Sequence, residues 1–115
     1  MNEFDDLTRR VREFRDARDW AQFHSVKNLA SSVCIEAAEL LEALQWVEGD
    51  DAEREALGRR SEIAEELADV SIYLLLIADK LGIDLAEAID HKLRKNAAKY
   101  PVERARGSSR KYTEL

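Results

Sequence analysis

The sequence predicts an all-α protein, on three observations. One proline and four glycines in 115 residues leave little turn chemistry for a β architecture. Charged residues make up 37% of the chain with both signs interspersed, as solvated helix faces require. Apolar residues recur at helical spacing, and strand-like alternation appears nowhere at length. The expected architecture is a four-helix, bundle-like single domain over residues 1–115, with a polar C-terminal tail from about residue 102.

Each element follows from its pattern. Phe4, Leu7, Val11 and Phe14 step by three and four residues, which predicts an amphipathic helix from about Asn2 to Arg18. Between Asp19 and Lys27 the periodicity breaks and Trp20, Phe23 and His24 gather; such a cluster either packs or offers a flat surface to a ligand. Ser25 or Asn28 can cap a second helix, expected to run to about Glu48. Gly49-Asp50-Asp51 reads as its interruption, and the polar interval to Gly58 as a mobile loop.

A third helix is expected from about Arg59 to Leu81, closed by Gly82. Its segment Ile72 to Ala78 is apolar on every side. So short a chain cannot bury all of that surface by itself, which predicts a homo-oligomer, a dimer or a tetramer. The fourth helix runs from about Asp84 to Ala98 with Leu85, Ala88, Ile89 and Leu93 as its inward stripe, and Pro101 ends it. The tail, Val102 to Leu115, is polar, and its composition alone fits a disordered solubilising end.

Composition also excludes. A formal net charge of −6 argues against a nucleic-acid polymer as partner, because that binding draws on a basic surface. The lone Cys34 permits no internal disulfide, and its neighbours Val33 and Ile35 predict a buried, unreactive thiol. No signal peptide is read at the start, and no apolar run approaches the roughly 20 residues of a membrane span. The expectation is a cytoplasmic protein without membrane contact.

The chemistry lies in two acidic steps, Glu36-Ala37-Ala38-Glu39 and Glu66-Leu67-Ala68-Asp69. At roughly 100° per residue, Glu36 and Glu39 stand about 60° apart, and Val33, Leu40, Leu44 and Val47 crowd the flank of Glu36. Thirty positions later, Ile63, Val70, Leu74 and Ile77 bear the same relation to Glu66. Two helices packed antiparallel through those stripes bring four carboxylates onto one seam. Acidic residues at this spacing are commonly a solvated face, and a helical dimerisation module without activity is the corresponding alternative. A scaffold, however, gains nothing from glutamates placed beside its core. A hard divalent cation resolves the repulsion, since Mg²⁺ and Mn²⁺ take carboxylate oxygens and leave positions for phosphates.

These residues resemble a family, the all-α nucleoside triphosphate pyrophosphohydrolases of the MazG and dimeric dUTPase kind, with Glu-x-x-Glu followed by Glu-x-x-Asp as signature. The dCTP pyrophosphatase branch is the most similar. Arg18-Asp19-Trp20, Gln22-Phe23-His24, Lys27-Asn28-Leu29, Gln45-Trp46, Ile72-Tyr73-Leu74, Lys99-Tyr100-Pro101 and Ser108-Ser109-Arg110-Lys111-Tyr112-Thr113 all look like it, in order and over nearly the whole chain. The resemblance implies Mg²⁺-dependent hydrolysis of a deoxynucleoside triphosphate, dCTP or a 5-modified dCTP, to the monophosphate and pyrophosphate. The same chemistry on dUTP or dATP is the near alternative.

On this reading Glu36, Glu39, Glu66 and Asp69 are the metal ligands and catalytic carboxylates, with water as nucleophile. One of them, or Glu65, would take its proton. Trp20, Trp46, His24 and Tyr73 are the candidates for the base, Trp46 because it projects about 20° beyond Glu39, on the side away from the apolar stripe. Lys92 and Asn96, four apart on the fourth helix, match a lysine and an asparagine near the nucleotide in the similar enzymes. The tail run implies a phosphate or inter-subunit contact. Val11 stands where the mammalian enzymes of that branch carry a histidine, which leaves base preference open.

Overall fold

In the computed structural model, which describes residues 2–115, the described chain is helical throughout, without strands. It divides into two compact units, one ending at Gly82 and the other Ile83–Leu115. The first unit contains α1 (Glu3–Ala17), a 3₁₀ turn (Ala21–Phe23), α2 (Val26–Glu42), α3 (Gly49–Gly58) and α4 (Arg60–Leu81). The second contains α5 (Leu85–Lys99), α6 (Val102–Ala105) and a 3₁₀ turn (Tyr112–Glu114).

The helix ends have local chemical causes. Asn2 caps α1 in a reciprocal box, its side chain accepting from the Asp5 N–H at 2.9 Å while Asp5 accepts from the Asn2 N–H at 3.2 Å. Of the two expected caps for α2, Ser25 does the work, its Oγ accepting from the Asn28 N–H at 3.0 Å. The Asn28 side chain turns back and donates to the Phe23 carbonyl at 3.1 Å, which ties the 3₁₀ turn to the helix. Gly82 closes α4 at φ 66°, a left-handed position that favours glycine. Asp84 caps α5 through the Glu87 N–H at 3.1 Å.

Around α4 the first unit is assembled. α2 packs most extensively against it, while α1 and α3 make smaller contacts. Among the described residues the buried apolar side chains are Leu29 of α2 with Leu75, Leu76 and Ala78 of α4. α1 is held to α4 through Asp79, which accepts from Arg12 Nη1 at 2.7 Å and faces Arg15 Nη1 at 3.7 Å. It does not close completely, for an apolar cavity of about 440 Å³ remains between Leu7, Val11 and Phe14 on one side and Ala68, Ile72 and Leu75 on the other.

Four sequence expectations are corrected here. Residues 49–58 are a helix, not a loop: Asp50 and Asp51 favour its N-terminal dipole, and Ala52, Glu55 and Ala56 are half-buried at helical spacing. α2 stops at Glu42 instead of about Glu48, and residues 43–46 are turns. Cys34 is exposed, as is Ile35, because both point away from the stripe that meets α4. The expected inward stripe of the fourth helix is half-buried at Leu85, whereas Ala88, Ile89 and Leu93 are exposed. The tail folds against the C-terminal end of α5, with the Tyr112 ring edge-on to Tyr100 at 5.9 Å and Lys99 Nζ 4.9 Å from the Tyr112 ring.

Candidate metal centre and nucleotide cleft

The stripe that turns inward is Leu29, Val33, Glu36 and Leu40 on α2, continued past its end by Ala43 and Val47; on α4 it is Ile63, Glu66, Val70, Tyr73 and Ile77. Every member is buried or half-buried, and the spacing alternates between three and four residues, as in any helix seam. Glu36 and Glu66 therefore occupy positions where packing alone calls for leucine or valine. Their partners one turn on, Glu39 and Asp69, are exposed at the mouth.

Packing brings three of these carboxylates together. One oxygen from each of Glu36, Glu39 and Glu66 lies within 4.8 Å of the others. Asp69 is not in that group, although it is near enough for its charge to act on both Glu36 and Glu66. The Oε2 atoms of Glu36 and Glu66 are shielded from solvent and have no hydrogen-bond partner among the described residues. A buried acceptor left unpaired is unfavourable, and a charged one more so.

The titration of the cluster reflects this. Glu36 is pushed up to about 7, first by the adjoining Glu39 carboxylate, to which its protonated form can donate, then by burial and by the charges of Glu39, Asp69 and Glu66. Glu66 is raised as well, first by burial and then by Glu39. An all-oxygen donor set with two orphaned buried oxygens fits a hard divalent cation.

Beside the cluster opens a cavity of about 370 Å³, in the range of small-ligand sites. Glu39, Glu42, Glu62 and Glu66 give its acidic wall, Leu40, Ala43 and Ile63 its apolar part, and Arg59 its one cation among the described residues.

The MazG-like family model matches residues 31–115, which includes both acidic steps. This chain belongs to the MazG-like family. Among curated MazG-like relatives, dCTP pyrophosphatase 1 of Homo sapiens is 42% identical over 96% of this chain, and that of Bos taurus 39% identical over the same share. The chain spans about two thirds of their length, 66% and 67% respectively. A pyrophosphatase from Archaeoglobus fulgidus shares 45% identity and superposes with a TM-score of 0.83, covering 88% of this chain and 94% of that one.

The other positions named from sequence are outside the three-carboxylate group. Trp20 is set by the left-handed Asp19, φ 54°, whose carbonyl and carboxylate take the Gln22 side-chain amide at 3.0 and 3.1 Å. Its ring stands edge-on to Phe14 at 5.7 Å, and it is partly exposed. Trp46 lies past the end of α2, so the helical angle that related it to Glu39 does not apply; it is 88% exposed. Tyr73 is half-buried within the α4 stripe.

His24 is half-buried, and its Nδ1 has no partner among the described residues. Burial holds its pKa below the usual imidazole range, helped by Arg15 and Lys80. Lys92 is exposed and Asn96 half-buried on α5, in the second unit. The cleft residue overlooked in the sequence is Arg59. Its only linear signal is Glu55 one turn before and Glu62 just after, which looks like an ordinary helix-surface ion pair.

Proposed function

We propose that this protein hydrolyses dCTP, or a dCTP modified at the 5-position of its base, to the monophosphate and pyrophosphate, using Mg²⁺ or Mn²⁺. The protein is a nucleoside triphosphate pyrophosphohydrolase. The observation that carries this reading is the pair of buried glutamate oxygens, one on α2 and one on α4, without a hydrogen-bond partner among the described residues, in a group of three carboxylates within 4.8 Å of one another. The names of the curated relatives support the choice of substrate.

Glu36, Glu39 and Glu66 would hold the cation, with Asp69 at the mouth as a further ligand. When bound, the cation supplies charge neutralisation for the phosphates and activation of water. The chain's own contribution is positional. The α2–α4 packing holds Glu36 and Glu66 at a fixed separation, and the apolar flank keeps bulk water from their inner oxygens. One water is consumed, the anhydride bridge between the α- and β-phosphates breaks, and the released proton passes to the carboxylate cluster. Cys34 lies exposed outside the seam and plays no part as nucleophile.

Trp20 and Trp46 are proposed to stack on the base, with His24 and Tyr73 as neighbouring contacts; Lys92 and Asn96 are proposed to contact phosphate or sugar. A second copy of the chain is the proposed partner, as a dimer or a tetramer, because Ile35, Leu41, Leu67 and Leu74 remain exposed on α2 and α4. Sedimentation velocity tests that point, and a monomer at micromolar concentration would refute it.

The decisive assay incubates the protein with each deoxynucleoside triphosphate and Mg²⁺, with and without EDTA, and separates the products by chromatography. Deoxycytidine monophosphate and pyrophosphate should appear first, and EDTA should abolish both. Preferential turnover of dUTP or dATP would move the substrate and keep the chemistry. No metal-dependent product from any of them would leave a helical dimerisation module.

A further inference from the structure

Arg59 joins two helices. Its N–H closes α3 on the carbonyls of Glu55 and Ala56, at 3.0 and 3.2 Å, and its carbonyl accepts the Ile63 N–H of α4 at 3.0 Å. Those are backbone bonds that any residue here could make, so they leave the choice of arginine unexplained. Arg59 lines the same cavity as Glu39, Glu62 and Glu66.

The guanidinium is steered but not saturated. Nε donates to Glu55 Oε1 at 2.9 Å. Nη1 lies 3.9 Å from Glu62 Oε2, within ion-pair range yet too far for a hydrogen bond. Arginine carries five N–H donors in a planar fork, and one of them has an acceptor among the described residues. The side chain is 43% exposed, and surface pairs of this kind contribute little to stability. A fork anchored by its Nε edge, with its Nη nitrogens making no hydrogen bond among the described residues and only a long ion pair to Glu62, can present two donors to an oxyanion in the cavity that Arg59 lines.

We propose that Arg59 contacts the β- and γ-phosphates of the substrate and retains the pyrophosphate leaving group. The proposal rests on the reading of this cleft as the triphosphate site and adds a residue that neither acidic step contains. The carboxylates alone would repel a polyphosphate, and a cation held among them neutralises only the oxygens it meets. Arg59 supplies fixed positive charge in the same cavity, with geometry matched to two oxygens at once. Glu55 and Glu62 act as positioning residues for it, limiting the rotamers that would have to be frozen on binding.

Product inhibition separates this role from a structural one. In Arg59→Ala the inhibition constant for pyrophosphate should rise about tenfold or more, as loss of a charge-assisted contact implies, while that for the nucleoside monophosphate stays within about twofold. Arg59→Lys should recover part of the pyrophosphate affinity, since charge returns without the fork. Thermal melts of both variants establish that each is folded. An unchanged pyrophosphate constant in Arg59→Ala, or parallel weakening of both products, overturns the assignment. If the wild-type protein turned over no deoxynucleoside triphosphate, the reading of the cleft would fall by itself. Calorimetric titration of pyrophosphate with Mg²⁺ into wild type and Arg59→Ala would then decide Arg59 separately, equal affinities refuting it.

Discussion

Helix α4 carries partly buried carboxylates toward both of its ends, and the chain treats them in opposite ways. Asp79, near the C-terminal end, is 19% exposed and is met by Arg12 and Arg15 of α1. Glu66, about three and a half turns earlier, has a buried oxygen with no hydrogen-bond partner among the described residues and lies against two more glutamates. Composition does not explain the contrast, because eighteen lysines and arginines were available. Where a carboxylate ties helices together, the fold provides its counter-charge. At Glu66 the one cation lining the same cavity, Arg59, gives its hydrogen bond to Glu55 instead.

Substitutions at the two ends should therefore have opposite signatures. The largest effect is expected at the inner end, where Glu36→Gln or Glu66→Gln should lower kcat by at least about 100-fold. The same variants should keep or raise the metal-free melting temperature, because repulsion is relieved. Asp69→Asn, outside the tight group, should lose less. Full turnover in Glu36→Gln would sink the proposed ligand set.

The reverse is expected at the other end. Asp79→Asn should cost about 1–2 kcal/mol of stability, discounted for the exposed Arg12, with kcat nearly unchanged. Chemical denaturation with a parallel activity assay measures both, and a drop in kcat without a drop in stability would erase the contrast.

A subtler test is titration of the metal-free protein. Glu36 has its folded pKa raised from 4.5 to about 7, so between those values the folded state holds a proton that the unfolded state has released. Its contribution to stability is thus fully present below about pH 4.5 and is lost as pH rises through about 7. Melting temperature should fall across that window in wild type and change less in Glu36→Gln. Identical profiles would mean that the two glutamates are not coupled as described. The smallest structural effect belongs to Trp46→Ala. At 88% exposure it should leave the melting temperature in place while raising KM about tenfold and flattening base preference. An unchanged substrate profile would remove Trp46 from the base site.

Much of this arrangement is legible in the linear chain, for identifiable reasons. The seam is a periodic signal, and two glutamates inside an apolar period stand out against it at Glu36 and Glu66. The helix ends at Ser25, one of the two caps the sequence offers, and at Gly82 are local chemistry, and so they appear where the sequence places them. The segment after Glu42 was harder to read. Gly49 at φ 59° looks like a breaker, yet it lets the chain turn into α3, and the two aspartates that seem to lengthen a loop favour the helix start instead. Trp46 was misplaced for the same reason, since its helical angle assumed a helix that had ended. Arg59 gives no periodic or capping signal, and its significance depends on a cavity that exists only once α2 and α4 have met.

A final consequence follows from how thin the apolar interior is. Leu29, Leu75, Leu76 and Ala78 are the buried apolar residues among those described, while Leu41, Leu57, Leu67 and Leu74 face outward. So small an enclosed volume provides little cohesion for a lone chain. If copies of the chain cover those leucines in one another, folding and assembly become a single equilibrium, and the melting midpoint should drift downward on serial dilution. The carboxylate seam would then owe its spacing to contacts made between molecules as well as within one.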